Sequence, residues 1–230
     1  MSSPEPDSSA STTAPTLPPG FIPPGMVGCV DLLTALDEPL HAAETPGTER
    51  MAPVRLREFV AGRTAAHRAL RQLTGRDAPV PRNADRSPSW PEGVCGSLSH
   101  SRHYAICVVA RLADYLAIGV DLEEDSRLGK DLWSHVVSAS EQAFLAGLPT
   151  PRAVPAATLL FSAKESYYKC LPRRLREPAL LPEPDRIETS VDFDAGTFTC
   201  SVPREKSLPA LTGRFAAFNH HWITLLHIAA

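Results

Sequence analysis

Carboxylates are closely spaced in one apolar stretch of this 230-residue chain, residues 117–123. Its apolar and β-branched residues predict a buried strand. Because side chains alternate along a strand, Asp121 and Glu123 should point to the same face, where two neighbouring carboxylates repel each other. A hard divalent cation relieves this repulsion, and oxygen ligands favour magnesium, calcium or manganese over zinc or copper.

A second stretch, residues 156–171, adds a third carboxylate and two lysines. It contains no proline or glycine, which predicts a helix that begins near Pro155. Glu165 and Lys169 should lie one turn apart on one face, with Lys164 beside it. Magnesium held by few carboxylates completes its shell with water and substrate phosphates, and lysines beside it suit a pyrophosphate. An ordinary surface ion pair between Glu165 and Lys169 is the alternative interpretation of this spacing.

The composition is that of a globular protein with one or two domains. The hydrophobic content is 43%, and the net charge of −3 argues against a nucleic-acid partner. No stretch approaches the ~20 apolar residues of a membrane span, and the N-terminus lacks the pattern of a signal peptide. The five cysteines are odd in number and scattered, which indicates reduced thiols. We therefore expect a cytoplasmic protein without a membrane partner.

Other elements can be predicted on both sides of these stretches. Residues 1–20 have almost no large apolar side chain and should form a disordered tail. A helical stripe predicts a helix over residues 54–73, and residues 94–110 have the pattern of a β-hairpin. Four strands are predicted in the second half, over residues 191–194, 197–202, 211–219 and 222–228.

The two acidic stretches together resemble a family signature. Gly-Val-Asp-Leu-Glu at residues 119–123, followed about forty residues later by Phe-Ser-Ala-Lys-Glu-Ser-x-x-Lys at residues 161–169, closely resembles the motif pair of the 4′-phosphopantetheinyl transferases. The similarity is to the long, monomeric Sfp-type branch, and within it to the enterobactin synthetase component D group. It implies an α+β fold of two pseudo-symmetric lobes, each a small antiparallel sheet packed with a long helix. We place the lobes at residues 21–116 and 117–230.

The resemblance also implies an activity. Enzymes of this holo-[acyl-carrier-protein] synthase type transfer 4′-phosphopantetheine from coenzyme A, their co-substrate, to a serine of an apo acyl or peptidyl carrier protein. Such carriers serve fatty acid, polyketide and nonribosomal peptide biosynthesis, and the other product is 3′,5′-ADP. Two alternatives stay open. One is a magnesium-dependent phosphohydrolase acting on nucleotides or coenzyme A, and the other is a non-catalytic protein that binds coenzyme A or carriers.

The family's catalytic roles fall on residues already noted. The resemblance implies that Asp121, Glu123 and Glu165 hold magnesium, with manganese as the alternative ion. Lys164 and Lys169 are expected to bind the phosphates of coenzyme A, and Asp121, Glu165 and Lys169 to be catalytic. Whether Glu165 or a water takes the serine proton stays open, because a metal-bound carboxylate is a poor base.

Further positions resemble the family's contacts to the nucleotide end of coenzyme A. Arg55 and Arg63 occupy the positions of arginines that meet the 3′-phosphate. The basic residue of the following loop is Arg82, with Arg86 as the alternative. Gly-Ser-Leu-Ser-His-Ser at residues 96–101 resembles the phosphate-binding motif.

That motif assigns Ser99 and His100 to the cofactor. His103 departs from the family pattern, in which a small residue is common here, and is expected to narrow the cofactor cleft. Arg173, Arg174 and Arg176 follow the catalytic helix. They are expected either to steer an acidic carrier by charge or to form a solvated basic loop.

Overall fold

The computed structural model describes residues 15–34, 38–171, 182–203, 205 and 207–230, which form two antiparallel β-sheets, each covered by one long helix. The strands are β1 (Met26–Leu32), β2 (Val94–His100), β3 (Tyr104–Arg111), β4 (Tyr115–Glu124), β5 (Glu188–Asp192), β6 (Thr197–Ser201), β7 (Leu211–Phe218) and β8 (His221–Ala229). The helices are α1 (Pro53–Thr74), α2 (Trp133–Val136), α3 (Ala139–Ala146) and α4 (Thr150–Cys170). Short 3₁₀ turns cover Ala42–Glu44, Thr48–Arg50, Lys130–Leu132 and Pro184–Arg186.

The strand order is β1-β3-β2 in the smaller sheet and β4-β8-β7-β6-β5 in the larger sheet. The predicted α+β architecture with antiparallel sheets is therefore confirmed. The hairpin of β2 and β3 and the helix α1 lie within one residue or so of their predicted bounds. Strand β1 was not predicted, because its short run contains Gly28 and Asp31 and carries little periodic signal.

A hydrophobic core between the two sheets joins the halves of the chain. Ile106 and Val108 of β3 pack there with Val120 and Leu122 of β4, and all four are fully buried. Leu17, which falls in the range predicted as a tail, packs against the same core. Helix α1 covers the other face of the smaller sheet, and α4 covers the other face of the larger sheet.

Helix α4 begins earlier than its sequence predicts. It starts at Thr150 and continues through Pro155, which the sequence indicated as its first residue. A proline inside a helix removes one backbone hydrogen bond to the carbonyl four residues before it. The burial of Ala153, Ala156 and Ala157 along the same turns offsets that loss. None of the helices in the described part of the chain is long and apolar enough to cross a bilayer.

Candidate active site

Gly119 allows α4 to lie directly on β4. A Cβ atom at this position would collide with the backbone carbonyl oxygen of Ser166 and would lie 2.8 Å from the backbone nitrogen of Cys170. Any larger residue would therefore push the helix off the strand. Because Gly119, Asp121 and Glu123 alternate along β4, the face that contacts the helix is also the face that carries the two carboxylates.

Asp121 is the centre of the contact between strand and helix, and only 2% of it is exposed. Its Oδ1 atom accepts hydrogen bonds from Ser99 Oγ and Lys169 Nζ, both at 2.7 Å, and its Oδ2 atom accepts one from Ser162 Oγ at 2.9 Å. Lys169 Nζ also donates to Ser99 Oγ at 3.1 Å. The structure thus brings Ser99, Asp121 and Lys169 together from three different elements.

Glu123 and Glu165 extend this acidic site. Burial, together with the Asp121 charge, raises the pKa of Glu123 to about 7. Burial likewise raises the pKa of Glu165, against the lowering effect of Lys169. An ion pair of 3.1 Å between Arg127 Nη1 and Glu123 Oε2 offsets part of the repulsion. Both carboxylates are therefore harder to ionise than exposed ones, and a nearby cation would favour their charged forms.

The donor chemistry of these residues fits magnesium. The set consists of three carboxylates, and a hard divalent cation prefers oxygen ligands. Two groups of described residues place their possible ligand atoms within 4.8 Å of one another, and neither group contains Asp121, Glu123 or Glu165. Closing all three carboxylates on one ion would therefore require side-chain movement, while the Lys169 ammonium already offsets the charge of Asp121.

Lys164 lies elsewhere, which corrects its expected role. Its ammonium donates to Glu141 Oε2 at 2.6 Å, to the Val136 carbonyl at 2.8 Å and to the Pro184 carbonyl at 2.9 Å. These three acceptors use its three hydrogens, and only 2% of the residue is exposed. The structure does not bring Lys164 to the acidic site, because it points to the side of α4 that packs against α2 and α3.

A cleft of about 1080 Å³ adjoins the acidic site. Ser99 and Lys169 line it, so the cleft meets the carboxylate cluster at these two residues. Basic side chains outnumber the two acids of its wall, Glu58 and Asp85; the basic ones besides Lys169 are Arg50, Arg55, Arg63, Arg82, Arg86 and His100. Such a wall favours an anionic ligand.

Arg63 is the most buried arginine of the cleft, with 5% of the residue exposed. Its guanidinium lies over the Phe59 ring, 4.4 Å from the centroid, and its Nε atom is 4.0 Å from Glu44 Oε1. Burial lowers the pKa of Arg63 to about 10, so it remains charged at neutral pH. The buried Nε atom has no hydrogen-bond partner among the described residues.

Arg55 and His100 contact each other at the cleft wall. Arg55 Nη1 donates to His100 Nε2 at 2.7 Å and to Glu58 Oε2 at 3.0 Å. Because Nε2 accepts this bond, the neutral His100 ring carries its proton on Nδ1. Burial lowers the pKa of His100, and the Arg55 charge lowers it further, although Glu58 acts in the opposite direction.

Arg82 and Arg86 both line the cleft, so the choice between them stays open. Arg82 Nη2 donates to the Pro46 carbonyl at 3.1 Å, and its guanidinium lies 5.1 Å from the Phe59 centroid. Arg86 is exposed and has a positive φ of 67°. His103 does not line the cleft, contrary to expectation. Arg173, Arg174 and Arg176 lie outside the described residues.

The sequence interpretation missed two contributors to the site. Ser162 holds Asp121 from the helix side, and it lies seven residues before Lys169, a two-turn spacing that could have identified it. Arg50 lines the cleft from a 3₁₀ turn, and no periodic pattern marks that position.

Comparison with known proteins identifies the family. Residues 43–110 match the family model of the 4′-phosphopantetheinyl transferase N-terminal domain, and residues 117–223 match that of the 4′-phosphopantetheinyl transferase superfamily. The chain is 35% identical over 206 residues to the 4′-phosphopantetheinyl transferase Svp of Streptomyces mobaraensis, covering 85% of this chain and 82% of that protein. The chain therefore belongs to the 4′-phosphopantetheinyl transferase family.

Two other relatives match over about half of their own lengths. Enterobactin synthase component D of Salmonella typhi is 38% identical over 126 residues, or 53% of this chain and 50% of that protein. The 4′-phosphopantetheinyl transferase PptT of Mycobacterium tuberculosis is 34% identical over 130 residues, or 55% of each chain. A solved holo-(acyl-carrier-protein) synthase from Bacillus anthracis, in complex with CoA (3′,5′-ADP), is 23% identical to this chain with a TM-score of 0.34. The match covers 38% of this chain and 94% of that chain.

Proposed function

We propose that this protein transfers the 4′-phosphopantetheine group of coenzyme A to a serine hydroxyl of an apo acyl or peptidyl carrier protein and releases 3′,5′-ADP. The observation that best supports this function is the junction of the cleft with the acidic site. Ser99 and Lys169 line the basic cleft, and both donate hydrogen bonds to Asp121. A ligand whose anionic end lies among the arginines could therefore extend its pyrophosphate toward the carboxylates.

The cleft arginines bind the nucleotide end in this proposal. Arg63, which lines the cleft, offers its guanidinium charge to the 3′-phosphate, and Arg55 holds His100 beside it. Either Arg82 or Arg86 supplies a further positive charge. These contacts are remote from the reacting phosphorus, so they contribute to binding and orientation rather than to the chemical step.

The reaction takes place at the pyrophosphate. The serine oxygen of the carrier forms a bond to the β-phosphorus of coenzyme A, and the bond from that phosphorus to the bridging oxygen breaks. Negative charge grows on the leaving phosphate, where the Lys169 ammonium can stabilise it. Two acceptors of the serine proton stay open, Glu165 and a water molecule. Magnesium, or manganese in its place, bound by Asp121, Glu123 and Glu165 would supply Lewis-acid stabilisation of the pyrophosphate oxygens.

The decisive experiment incubates the protein with coenzyme A, magnesium and a panel of apo carriers and measures carrier mass. The expected result is the mass increase of one phosphopantetheine on at least one carrier. Asp121→Asn should abolish it, whereas Asp114→Asn serves as the matched control, because Asp114 is an exposed acid in the turn before β4. Equal transfer by the Asp121→Asn variant would contradict the assigned site.

The same reactions distinguish the alternative functions. Release of inorganic phosphate from coenzyme A or a nucleotide without any carrier would identify a phosphohydrolase. Retention of coenzyme A without any transfer would identify a binding protein. The buried carboxylate cluster favours an enzyme, because a simple binder gains nothing from three neighbouring acids, two of which, Glu123 and Glu165, resist ionisation.

We further propose a monomeric cytoplasmic enzyme with two lobes, residues 21–116 and 117–230. The five cysteines all lie among the described residues and are unpaired, which agrees with a reducing compartment. The gap between the two matched family models, at residues 111–116, supports the division. Elution at twice the monomer mass in size-exclusion chromatography would contradict the monomer.

A further inference from the structure

A cluster of two histidines and one glutamate lies away from the proposed active site. His103, Glu124 and His221 each place a possible ligand atom within 4.8 Å of the other two. Glu124 and His221 are paired directly across β4 and β8. His103 comes from the turn between β2 and β3, so the cluster joins the smaller sheet to the larger one.

The local backbone directs His221 toward this cluster. Asn219 and His220 both have positive φ angles, 43° and 60°, in the tight turn between β7 and β8. Two successive positive φ angles characterise the hairpin turn whose twist matches that of its strands. This turn places His221 at the first position of β8, opposite Glu124, where 4% of the residue is exposed.

Glu124 presents an oxygen without a hydrogen-bond donor among the described residues. Its Oε1 atom is buried and accepts no hydrogen bond from the described residues. His103 Nδ1 lies 3.5 Å from this oxygen, which is too long for a good hydrogen bond. A buried carboxylate oxygen without a donor is costly, and a cation is one way to satisfy it.

The hydrogen bonds of His221 set its tautomer. Its Nδ1 atom lies 2.8 Å from the Asn219 carbonyl, which can only accept, so Nδ1 carries the proton. The Nε2 atom therefore has the lone pair, and it lies 2.9 Å from Ser101 Oγ. A histidine whose other nitrogen donates to a backbone carbonyl is the usual arrangement of a metal ligand. The Ser101 hydroxyl proton would have to turn away when Nε2 binds an ion.

From this geometry we propose that His103, Glu124 and His221 form a second metal site, which binds zinc. Two imidazoles and one carboxylate form a donor set typical of zinc. Two ligands about 2.1 Å from a common ion can be at most about 4.2 Å apart, so small rotations would bring these atoms within range. The His103 side chain is 64% exposed, which leaves room for water as a further ligand.

The site is separate from the proposed magnesium site. Glu124 follows Glu123 on β4, and side chains alternate, so Glu124 points away from the face that carries Asp121. Zinc would connect the turn that follows Ser99 and His100 to the strand that carries Asp121. Zinc is expected to stabilise the junction of the two sheets, so the free energy of unfolding should increase with zinc concentration.

The test is a zinc titration of the full chain by isothermal calorimetry, after treatment with a chelator and in excess magnesium. The wild-type chain should bind one zinc ion at this site, and zinc should raise its melting temperature. His103→Ala and Glu124→Gln should each weaken the affinity by at least about tenfold and reduce the zinc-dependent rise in melting temperature. Melting temperatures measured without zinc show whether each variant is folded.

Two control variants separate this cluster from other sources of zinc binding. His135→Ala removes an exposed histidine of α2 that belongs to neither compact cluster, and its zinc affinity should equal that of the wild type. His41→Ala removes one member of the other cluster, His41, His67 and Asp77. The proposal would be overturned if the wild type bound no zinc. It would also be overturned if His41→Ala removed zinc binding while His103→Ala preserved it.

Discussion

Replacing Lys164 by methionine removes an internal cation while keeping much of the side-chain volume. The structure gives this ammonium three partners, Glu141, Val136 and Pro184, at 2.6 to 2.9 Å. The variant therefore leaves the buried Glu141 carboxylate without its cation. We expect Lys164→Met to destabilise the fold and not to act on the chemical step.

The expected magnitude follows from what Glu141 retains. Breaking one partner of a buried ion pair typically costs about 3–5 kcal/mol. Glu141 still accepts hydrogen bonds from the backbone nitrogens of Ser138 at 2.7 Å and Thr189 at 2.8 Å, so the lower end, about 3 kcal/mol, applies. For a chain of this size each kcal/mol lowers the melting temperature by about 2–4 °C, so a decrease of about 6–12 °C is expected.

Calorimetry of Lys164→Met, Glu141→Gln and the double variant measures this coupling. The double variant should lose less stability than the sum of the two single losses, because removing both charges leaves neither one buried alone. Turnover per folded molecule, measured below the melting range, should stay within a few-fold of wild type. An unchanged melting temperature together with a hundredfold loss of turnover would refute this reasoning and return Lys164 to the phosphates.

The other predictions concern the proposed site itself. Lys169→Ala should lower kcat by about a hundredfold to a thousandfold, since a preorganised charge is lost at the pyrophosphate. Lys169→Arg should recover only part of this loss. Single-turnover rates of Lys169→Ala near those of the wild type would exclude a catalytic role for Lys169. Arg63→Met should raise KM for coenzyme A with little change in kcat. The variant and the wild type should use dephospho-coenzyme A, which lacks the 3′-phosphate, about equally well. Equal losses of activity with both substrates would place Arg63 away from the 3′-phosphate. In metal-free protein, Glu123 has its pKa raised from 4.5 to about 7, so the folded state holds its proton more tightly than the unfolded chain. Its contribution to stability is therefore present below about pH 4.5 and is lost as pH rises to about 7, by up to about 3 kcal/mol. Chemical denaturation with a chelator should show this slope, and Glu123→Gln should reduce it to the part that Glu165 contributes in the same direction.

Local spacing predicted much of the candidate site. Alternation along β4 indicated that Asp121 and Glu123 share a face, and β4 includes both residues. The four-residue spacing of Glu165 and Lys169 depends only on helical geometry, and α4 includes both residues. Where the pattern was weak, in β1 and in the proline-containing start of α4, the prediction was incomplete or wrong.

The direction of Lys164 could not be predicted in the same way. Adjacent helical positions such as 164 and 165 differ by about 100°, so a sequence alone does not say which of them faces the strand. The close packing at Gly119 decides this orientation, because it sets which side of α4 contacts β4. Lys164 is thereby turned toward Glu141, and Ser162 toward Asp121.

The amino-acid sequence by itself determined the family, the elements that carry the acidic motifs and the basic character of the residues assigned to the nucleotide. These properties depend on residue type and on spacing within one strand or one helix. Only the tertiary structure decided which side chains meet: Lys169 and Ser99 at Asp121, Arg55 at His100, and His103 beside Glu124. Each of these contacts joins residues far apart in the chain, and their distance depends on how the sheets and helices pack rather than on any local period.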